Sequence, residues 1–302
     1  RRSSDLTFTP PEIVEMRSYD LMATPLIYPG QRLHATLIAP SDNISSLNVR
    51  LCYRVYDDNN CLIPCYGDTH HVAPGEEITL SLDIPDCKGQ PIGEIGVTLS
   101  TDARIARGRL LIDSMCWDGV PKLTLRKPAG ENDFWWRSWV NGVDLFSRHY
   151  PTSFRISKEY DEGLIIHGTR QWNNYRVQSD ITLHLGDYGG LAFRVQGMRR
   201  YYAARVMRDG KVQIIRVRDA VTRILAETVL SDVYERPLVF DIAVMGNTLT
   251  ATVDGKTLSV EDTEREAFAD GGIGLLICAG ALSTDAIHIC ANETVSQQGM
   301  KK

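Results

Sequence analysis

The feature that most constrains this chain is an alternation of apolar and polar side chains in short runs that end at turn residues. Residues 78–84 alternate and stop at Pro85, and residues 191–196 alternate without exception. Because successive side chains of a β-strand point to opposite sides of a sheet, this period of two predicts strands that are buried on one side. Residues 261–268 have some helical character, but they are long enough for only a short helix. The chain is therefore predicted to be all-β.

Turn residues also divide the chain into domains. Short strands separated by Gly, Pro, Asn and Asp are typical of β-sandwiches, and 302 residues suffice for two hydrophobic cores. Gly, Pro and charged residues interrupt the alternation at residues 126–134. We predict two β-sandwiches in tandem, an N-terminal one over residues 26–128 and a second one over residues 129–292. Residues 1–25 are expected to form an extended linker, and residues 293–302 a disordered tail.

Composition favours a soluble protein of a reducing compartment. Hydrophobic residues make up 43% and charged residues 24% of the chain, as in soluble globular proteins, and no apolar run approaches the roughly 20 residues of a membrane span. The chain begins with Arg1 and no apolar leader follows, so we expect it to be part of a longer protein. Unpaired cysteines behave as small buried hydrophobes, which favours a cytoplasmic location. The seven cysteines are Cys52, Cys61, Cys65, Cys87, Cys116, Cys278 and Cys290.

Three of the five tryptophans, Trp135, Trp136 and Trp139, follow directly after the interruption of the pattern. Such a cluster forms either an aromatic plug between two domains or a platform for a ligand, and the plug is the favoured interpretation. If the three rings formed an exposed apolar patch, the patch would indicate a surface that docks on another domain or dimerises.

Five stretches of the second half carry a resemblance to a known fold family. In order and spacing, across roughly residues 150–290, they resemble the concanavalin A-like lectin/glucanase superfamily. The resemblance implies a jelly-roll sandwich, but a scaffold does not define its ligand. The five stretches are residues 172–175, 189–194, 201–203, 246–255 and 271–276.

The chain as a whole resembles a second group of proteins through residues 113–125 and 139–142. These stretches are similar to the non-catalytic C-terminal region of bacterial ADP-ribosylglycohydrolase-family proteins. The resemblance implies an accessory module whose hydrolase domain lies upstream. The catalytic domain of that family is helical and holds magnesium with Asp and Glu clusters, and this sequence predicts no such helices. Its catalytic residues therefore have no counterpart here.

Residues that could support catalysis are sparse. Glucanases of lectin-like fold carry the motif Glu-x-Asp-x-x-Glu on one strand. The acids of this sequence that are most similar to it, Glu159, Asp161 and Glu162, have another spacing and are predicted to lie in a turn. Residues 261–266 are rich in acids and are interpreted as a solvated loop. No Gly-x-Ser-x-Gly motif occurs. We expect that this chain is not an enzyme and has no catalytic residues, and a glycoside hydrolase of lectin-like fold is the third-ranked hypothesis.

Two groups of residues offer metal ligands, and neither is favoured. Cys61 and Cys65, followed by His70 and His71, have zinc-binding side chains but lack a Cys-x-x-Cys knuckle. Calcium would need several oxygen atoms around one loop, and the acids available for it are scattered. These acids are Asp187, Asp254 and Asp285. No cofactor is expected, with a structural calcium ion as the weak alternative.

Positive charge concentrates in residues 190–225, although the chain has a net charge of −5. In this stretch Asp209 and Asp219 are the only acids among nine basic residues. Arginine suits bidentate contact with phosphate or carboxylate and stacking on rings. Strand alternation prevents the nine charges from facing one site, and pairing with acids elsewhere is the favoured interpretation. The nine are Arg194, Arg199, Arg200, Arg205, Arg208, Lys211, Arg216, Arg218 and Arg223.

The hypothesis that the sequence favours is a non-catalytic module that binds a carbohydrate or a sugar-phosphate such as an ADP-ribosyl group. A structural module that docks on a catalytic domain or dimerises is the rival, and nucleic acid is disfavoured by the acidic charge of the chain. If the polar side of residues 191–196 lines a groove, replacing Arg194 by Ala should weaken binding with little loss of stability. The candidate ligand-binding residues are Arg170, Trp172, Arg194, Gln196, Tyr201 and Arg205.

Overall fold

The computed structural model describes residues 14–17, 27–102, 108–128 and 134–292, which lie mostly in strands. The predicted all-β fold class is confirmed. The chain divides into two compact units. Unit 1 comprises residues 1–119 and 128–137, and unit 2 comprises residues 120–127 and 138–302. No helix within the described residues combines the length and the apolar character needed to cross a membrane.

Unit 1 is built from two antiparallel sheets. One sheet has the order β6-β2-β8; the other has the order β1-β7-β3-β4, with β5 paired to β3. The strands are β1 (Val14–Arg17), β2 (Arg32–Ile38), β3 (Leu47–Tyr56), β4 (Leu62–Tyr66), β5 (His70–Val72), β6 (Glu77–Asp83), β7 (Ile92–Ser100) and β8 (Leu111–Asp118).

The core of unit 1 shows why the alternating pattern produces a sandwich. In β2, Leu33 and Leu37 are buried, while His34 and Thr36 between them stay partly accessible. Val49 of β3, on the other sheet, belongs to the same buried cluster. Strands β2 and β3 therefore contribute apolar side chains to a core shared by both sheets.

Unit 2 contains the remaining strands. They are β9 (Leu123–Leu125), β10 (Val140–Asn141), β11 (Leu145–Phe146), β12 (Phe154–His167), β13 (Tyr175–Leu185), β14 (Tyr188–Gly197), β15 (Arg200–Met207), β16 (Lys211–Arg218), β17 (Val221–Val229), β18 (Pro237–Met245), β19 (Thr248–Val253), β20 (Lys256–Glu261) and β21 (Gly272–Ala291). A short helix, α1 (Phe134–Arg137), precedes β10 in the chain and belongs to unit 1.

Strand β21 links two halves of unit 2 because it changes partners near Ala279, which has a φ of 45°. Residues 272–278 pair with β14 and with the second half of β12, and the order β17-β16-β15-β14-β21 defines what we call the first sheet. Residues 281–291 pair with β13, and the order β21-β13-β18-β19-β20 defines the second sheet. The result is a jelly-roll-like sandwich.

Aromatic side chains fill the interior of unit 2 beside the first sheet. The rings of Phe193 and Tyr202 stack with their centroids 5.7 Å apart, and Phe268 packs edge-on against Tyr202 at 5.3 Å. Leu183 and Phe240 of the second sheet are also fully buried. Burial of these apolar surfaces is the main source of stability of the sandwich.

The division into units differs from the predicted boundary at two segments. Strand β9 belongs to unit 2, because residues 123–125 pair with residues 287–289 of β21. Residues 128–137, which include α1, belong to unit 1. The predicted tail and, apart from β1, the predicted linker lie outside the described residues. Residues 261–268 form the end of β20 and a loop, and the helix considered for them is absent from this described segment.

Candidate functional site

The six residues predicted to bind a ligand lie in three separate places in unit 2. One pair lies towards the surface, one pair in the interior beneath it, and one pair on the other side of the first sheet. These pairs are Arg170 with Gln196, Trp172 with Arg194, and Tyr201 with Arg205. The single groove that the sequence suggested for Arg194, Gln196 and Arg205 is therefore not formed, and a ligand-binding role for the six residues stays a prediction.

Arg194 binds the backbone of two loops in the interior. Its Nη1 donates to the carbonyl of Phe268 at 2.9 Å, and its Nη2 donates to the carbonyl of Asn173 at 3.3 Å. The side chain is 1% exposed, and burial lowers the pKa of its guanidinium. The expectation that Arg194→Ala would cause little loss of stability is corrected, because this substitution removes the donors of two loop carbonyls.

Gln196 and Arg170 meet at Asp270. Gln196 Nε2 donates to the backbone carbonyl of Asp270 at 3.1 Å and to its carboxylate at 2.8 Å. Arg170 Nε donates to the same carboxylate at 3.3 Å. The side chain of Arg170 is mostly exposed, so it is the most accessible of the six predicted residues.

Tyr201 and Arg205 belong to a network centred on Glu162. The hydroxyls of Tyr188 and Tyr201 both donate to the Glu162 carboxylate, and burial together with this negative charge raises the pKa of both phenols. The guanidinium carbon of Arg205 lies 4.5 Å from the centre of the Tyr188 ring, and its Nε donates to Gln213 at 2.9 Å. Tyr201 is fully buried. These contacts hold strands together and leave Tyr201 inaccessible to a ligand.

Three arginines of the basic stretch are bound by a loop that we name the acidic loop, residues 262–271. Arg216 binds Asp262 and Glu264, and Arg223 binds Glu264 as well. Arg218 donates to the carbonyl of Glu266 at 2.9 Å. The interpretation of the run 261–266 as a solvated loop is wrong for Asp262, which is buried against Arg216, while the other residues of the run are exposed. The favoured interpretation of the basic stretch, pairing with acids elsewhere, is confirmed for these three arginines.

A pocket that sequence reasoning missed lies where β13 turns into β14. We name it the Tyr234 pocket; its cavity measures about 310 Å³. Gly186 has a φ of 135°, and a Cβ there would come 2.8 Å from the carbonyl oxygen of Cys278, so this turn requires glycine. The Tyr234 hydroxyl donates to the carbonyl of Gly186 at 2.5 Å, which holds the ring at the turn. The lining residues are His184, Leu185, Gly186, Asp187, Arg208, Tyr234 and Ala279.

Charged groups of opposite sign line the Tyr234 pocket. Asp187 and Arg208 are exposed, and the Arg208 amide donates to the carbonyl of Asp187 at 2.8 Å. Within the described residues, neither side chain makes a hydrogen bond or ion pair with another side chain. Burial raises the pKa of Tyr234, and the charges of Arg208 and Asp187 act on this hydroxyl with opposite sign. A carboxylate acceptor, a guanidinium donor and an aromatic ring thus converge on one cavity. No sequence motif could have predicted this pocket, because Asp187, Arg208 and Tyr234 come from three separate segments of the chain.

A second depression runs along β13 on the outer side of the second sheet. We name it the β13 groove; it measures about 580 Å³. Alternation along β13 points Gln178, Asp180 and Thr182 outward, and Ile181 and Leu183 into the core. Ser283 of β21 lies opposite Thr182 and extends the polar surface. Carboxamide, carboxylate and hydroxyl groups therefore stand side by side on a strand surface open to solvent.

Metal ligands do not converge in the described part of the chain. Among these residues, no three or more His, Cys, Asp or Glu side chains lie close enough together to hold an ion. Cys61, Cys65, His70 and His71 accordingly form no zinc site there, and the three acids considered for calcium do not meet. The described cysteines are also unpaired.

The tryptophans near the boundary do not form the exposed patch that would have favoured the structural hypothesis. Trp135 of α1 is 2% exposed. Trp139 of unit 2 is buried too, with its ring centroid 4.8 Å from that of His167 and 5.2 Å from that of Phe154. Trp135 and Trp139 thus serve as core side chains.

Of the comparisons with known proteins, only the one with solved structures finds similar proteins. No family model and no curated protein matches the chain. The carbohydrate-binding module CBM66 of Bacillus subtilis is 16% identical, with a TM-score of 0.44, covering 50% of this chain and 94% of that one. A protein of unknown function with a galectin-like fold, also from Bacillus subtilis, is 11% identical with a TM-score of 0.44, covering 55% and 94%. A putative glycosyl hydrolase from Parabacteroides distasonis is 11% identical with a TM-score of 0.39, covering 54% and 91%. At such low likeness, the ligand has to be inferred from the residues of this chain.

Proposed function

We propose that unit 2 is a non-catalytic module that binds a carbohydrate, and that the Tyr234 pocket holds one sugar ring. The observation that carries the proposal is the convergence of Asp187, Arg208 and the Tyr234 ring on one open cavity. A carboxylate accepts hydrogen bonds from two neighbouring hydroxyls, and a guanidinium donates to two neighbouring oxygens. An aromatic ring provides a flat apolar surface for the C–H groups of a sugar.

The size and construction of the pocket support this ligand class. A cavity of about 310 Å³ is at the lower end of the range for small-molecule sites. The turn at Gly186 and the bond from Tyr234 to its carbonyl preset the pocket, so little ordering is required when a ligand binds. A hydrolase domain in the same protein, as the resemblance implies, would be brought to its sugar-bearing substrate by this module.

A sugar-phosphate such as an ADP-ribosyl group is the less favoured ligand. Three of the arginines that suggested a phosphate site are bound to the acidic loop, and Arg194 is bound to backbone carbonyls. In the Tyr234 pocket a phosphate would meet the carboxylate of Asp187 as well as Arg208. Like charges at close range oppose binding.

Isothermal titration calorimetry tests the proposal with glucose, galactose, mannose, xylose, N-acetylglucosamine, their short oligomers, and ADP-ribose. We expect at least one neutral sugar to bind the wild-type chain. Tyr234→Ala and Asp187→Asn should each weaken binding about tenfold or more, the effect of losing about 1.4 kcal/mol. Tyr66→Ala, which removes an exposed tyrosine of unit 1, is the matched control and should bind like wild type.

The proposal fails if no sugar binds, or if Tyr234→Ala and Asp187→Asn bind as tightly as the control. Binding of ADP-ribose without binding of any neutral sugar would also contradict it. Because Tyr234 supports the turn at Gly186, the thermal midpoint of each variant should be recorded. Asp187→Asn keeps the shape of the side chain and removes its charge, so weaker binding by this variant reflects the lost charge and not a disturbed fold.

A further inference from the structure

The Tyr234 pocket and the β13 groove meet on the outer side of unit 2. His184 lines the pocket, while Thr182 and Ser283 line the groove. His184 Nε2 and Ser283 Oγ are 2.9 Å apart and hydrogen-bonded, so the two depressions share a wall. Thr182 lies two residues before His184 and projects to the same side of β13. The pocket and the groove therefore lie next to each other along β13, with His184 between them.

This combined surface, which we call the path, is longer than a single sugar ring. From Gln178 to His184 strand β13 advances by six residues, or about 20 Å at roughly 3.3 Å per residue. Thr182 lies between its neighbours Pro237 and Ser283 on the adjoining strands, near the middle of the path. A ligand that used the whole path would be a linear chain whose units repeat along the strand.

Polar side chains along the path are available to hydrogen-bond the hydroxyl groups of a sugar chain. Asp180 and Arg126 line the groove, and neither makes a side-chain hydrogen bond or ion pair within the described residues. Thr182 is also partly accessible. On β13 the alternation places Asp180 and Thr182 on the same outward side, two residues apart.

The charges along the path disfavour an anionic chain. The lining carries three carboxylates against two guanidinium groups, apart from the histidines. Uronic acids or sulfated sugars would therefore meet a slight excess of negative charge. The carboxylates are Asp180, Asp187 and Asp285, and the guanidinium groups are Arg126 and Arg208.

We propose that the ligand of unit 2 is an uncharged oligosaccharide that lies lengthwise along β13, with one ring in the Tyr234 pocket and the following rings in the β13 groove. This inference rests on the proposed function, because it extends the same site. It adds that affinity depends on chain length and that Thr182 marks the passage between the two parts of the site.

Titration with a series from monosaccharide to hexasaccharide, of the neutral sugar that binds best, tests the inference. We expect affinity for the tetrasaccharide to exceed that for the monosaccharide about tenfold or more in the wild-type chain. Thr182→Arg should block the passage and remove this gain, while monosaccharide affinity stays within about twofold of wild type. Thr252→Arg places the same side chain on β19, outside both depressions, and is the matched control.

A second variant removes a group instead of adding one. Asp180→Ala deletes an exposed carboxylate of the groove and should weaken tetrasaccharide binding several-fold without changing monosaccharide binding. Oligogalacturonates of equal length serve as the anionic probe and should bind more weakly than the neutral series.

Several outcomes overturn the inference and leave the proposed function standing. They are equal wild-type affinity for monosaccharide and tetrasaccharide, a length-dependent gain that survives in Thr182→Arg, or tighter binding of oligogalacturonate than of the neutral series. If neither monosaccharides nor oligomers bind, both proposals fail together.

Discussion

Arg216 Nη1 lies 2.8 Å from Asp262 Oδ2 in the interior of unit 2, where the two side chains are 7% and 3% exposed. The Tyr202 hydroxyl donates to the same Asp262 carboxylate at 2.6 Å. This buried pair attaches the acidic loop to the first sheet at the point where the chain leaves β20. Two charges inside a protein are tolerated only when each has its partner.

Arg216→Met is expected to destabilise the chain by about 3–5 kcal/mol, because it leaves the Asp262 carboxylate buried without its cation. Chemical denaturation followed by tryptophan fluorescence measures the change. Arg200→Ala removes an arginine from an exposed pair with Asp219 and should change stability by less than about 1 kcal/mol. Equal effects of the two substitutions would show that the Arg216–Asp262 pair does not anchor the loop.

Arg194→Ala should lower the free energy of unfolding by about 3 kcal/mol, because the carbonyls of Phe268 and Asn173 lose their donors and a buried volume is left empty. Arg170→Ala, next to the same loop but exposed, is the matched control and should have little effect. If Arg194→Ala unfolds at the wild-type denaturant concentration, Arg194 does not hold the loop, and its role as a ligand contact regains support.

Acid should destabilise unit 2 through His167. Burial lowers the pKa of this imidazole to about 4, below the roughly 6.5 of an exposed histidine. Between these values the unfolded chain binds a proton that the folded chain does not, so stability is complete above about pH 6.5 and falls as the pH approaches 4. The loss across this window should be roughly 3 kcal/mol.

Urea unfolding at pH 7, 5.5 and 4.5, compared between wild type and His167→Phe, isolates the histidine from other titrating groups. The variant should show a shallower loss of stability over this range. The prediction is wrong if wild type and variant lose stability in parallel, since the carboxylates common to both would then account for the whole slope.

Two glycines of β14 should respond differently to alanine. A Cβ at Gly190 would lie 2.1 Å from the carbonyl oxygen of Ala204, whereas a Cβ at Gly197 would meet nothing within 4 Å. Gly190→Ala must therefore push β14 away from β15 and should destabilise by roughly 2 kcal/mol or more. Gly197→Ala should be close to neutral. Similar thermal midpoints for the two variants would contradict the close approach at Gly190.

The strands were largely predictable from the sequence because their signal is local. Residues 191–196 alternate, and they form part of β14; the Asp209-Gly210 turn joins β15 to β16 as its residue types predict. The boundary between the two units was less predictable from the sequence than the strands were. Residues 123–125 fall within the predicted first sandwich, yet they pair with β21 of unit 2, a partner that lies far along the chain.

The candidate site shows where local reading fails. Arg194 and Tyr201 are predicted ligand contacts because arginine binds anionic groups and an aromatic ring stacks on a sugar, but both are buried and bonded within the fold. The acids of residues 261–266 are predicted to be solvated, which holds for Glu261, Glu264 and Glu266 but not for Asp262. Their pairing with Arg216 and Arg223 depends on distances that a linear pattern does not contain.

By itself the sequence determined the all-β class and most strand positions, because a period of two and a turn residue act over a few neighbouring residues. The burial of β14, β15 and β16 on both sides differs from the predicted burial on one side. Only the tertiary structure decided which arginines are neutralised, and it alone brought Asp187, Arg208 and Tyr234 to one cavity. Electrostatic pairing and cavity formation depend on distances in space between residues distant in the chain. Those distances follow from strand order and register, which are properties of the whole fold.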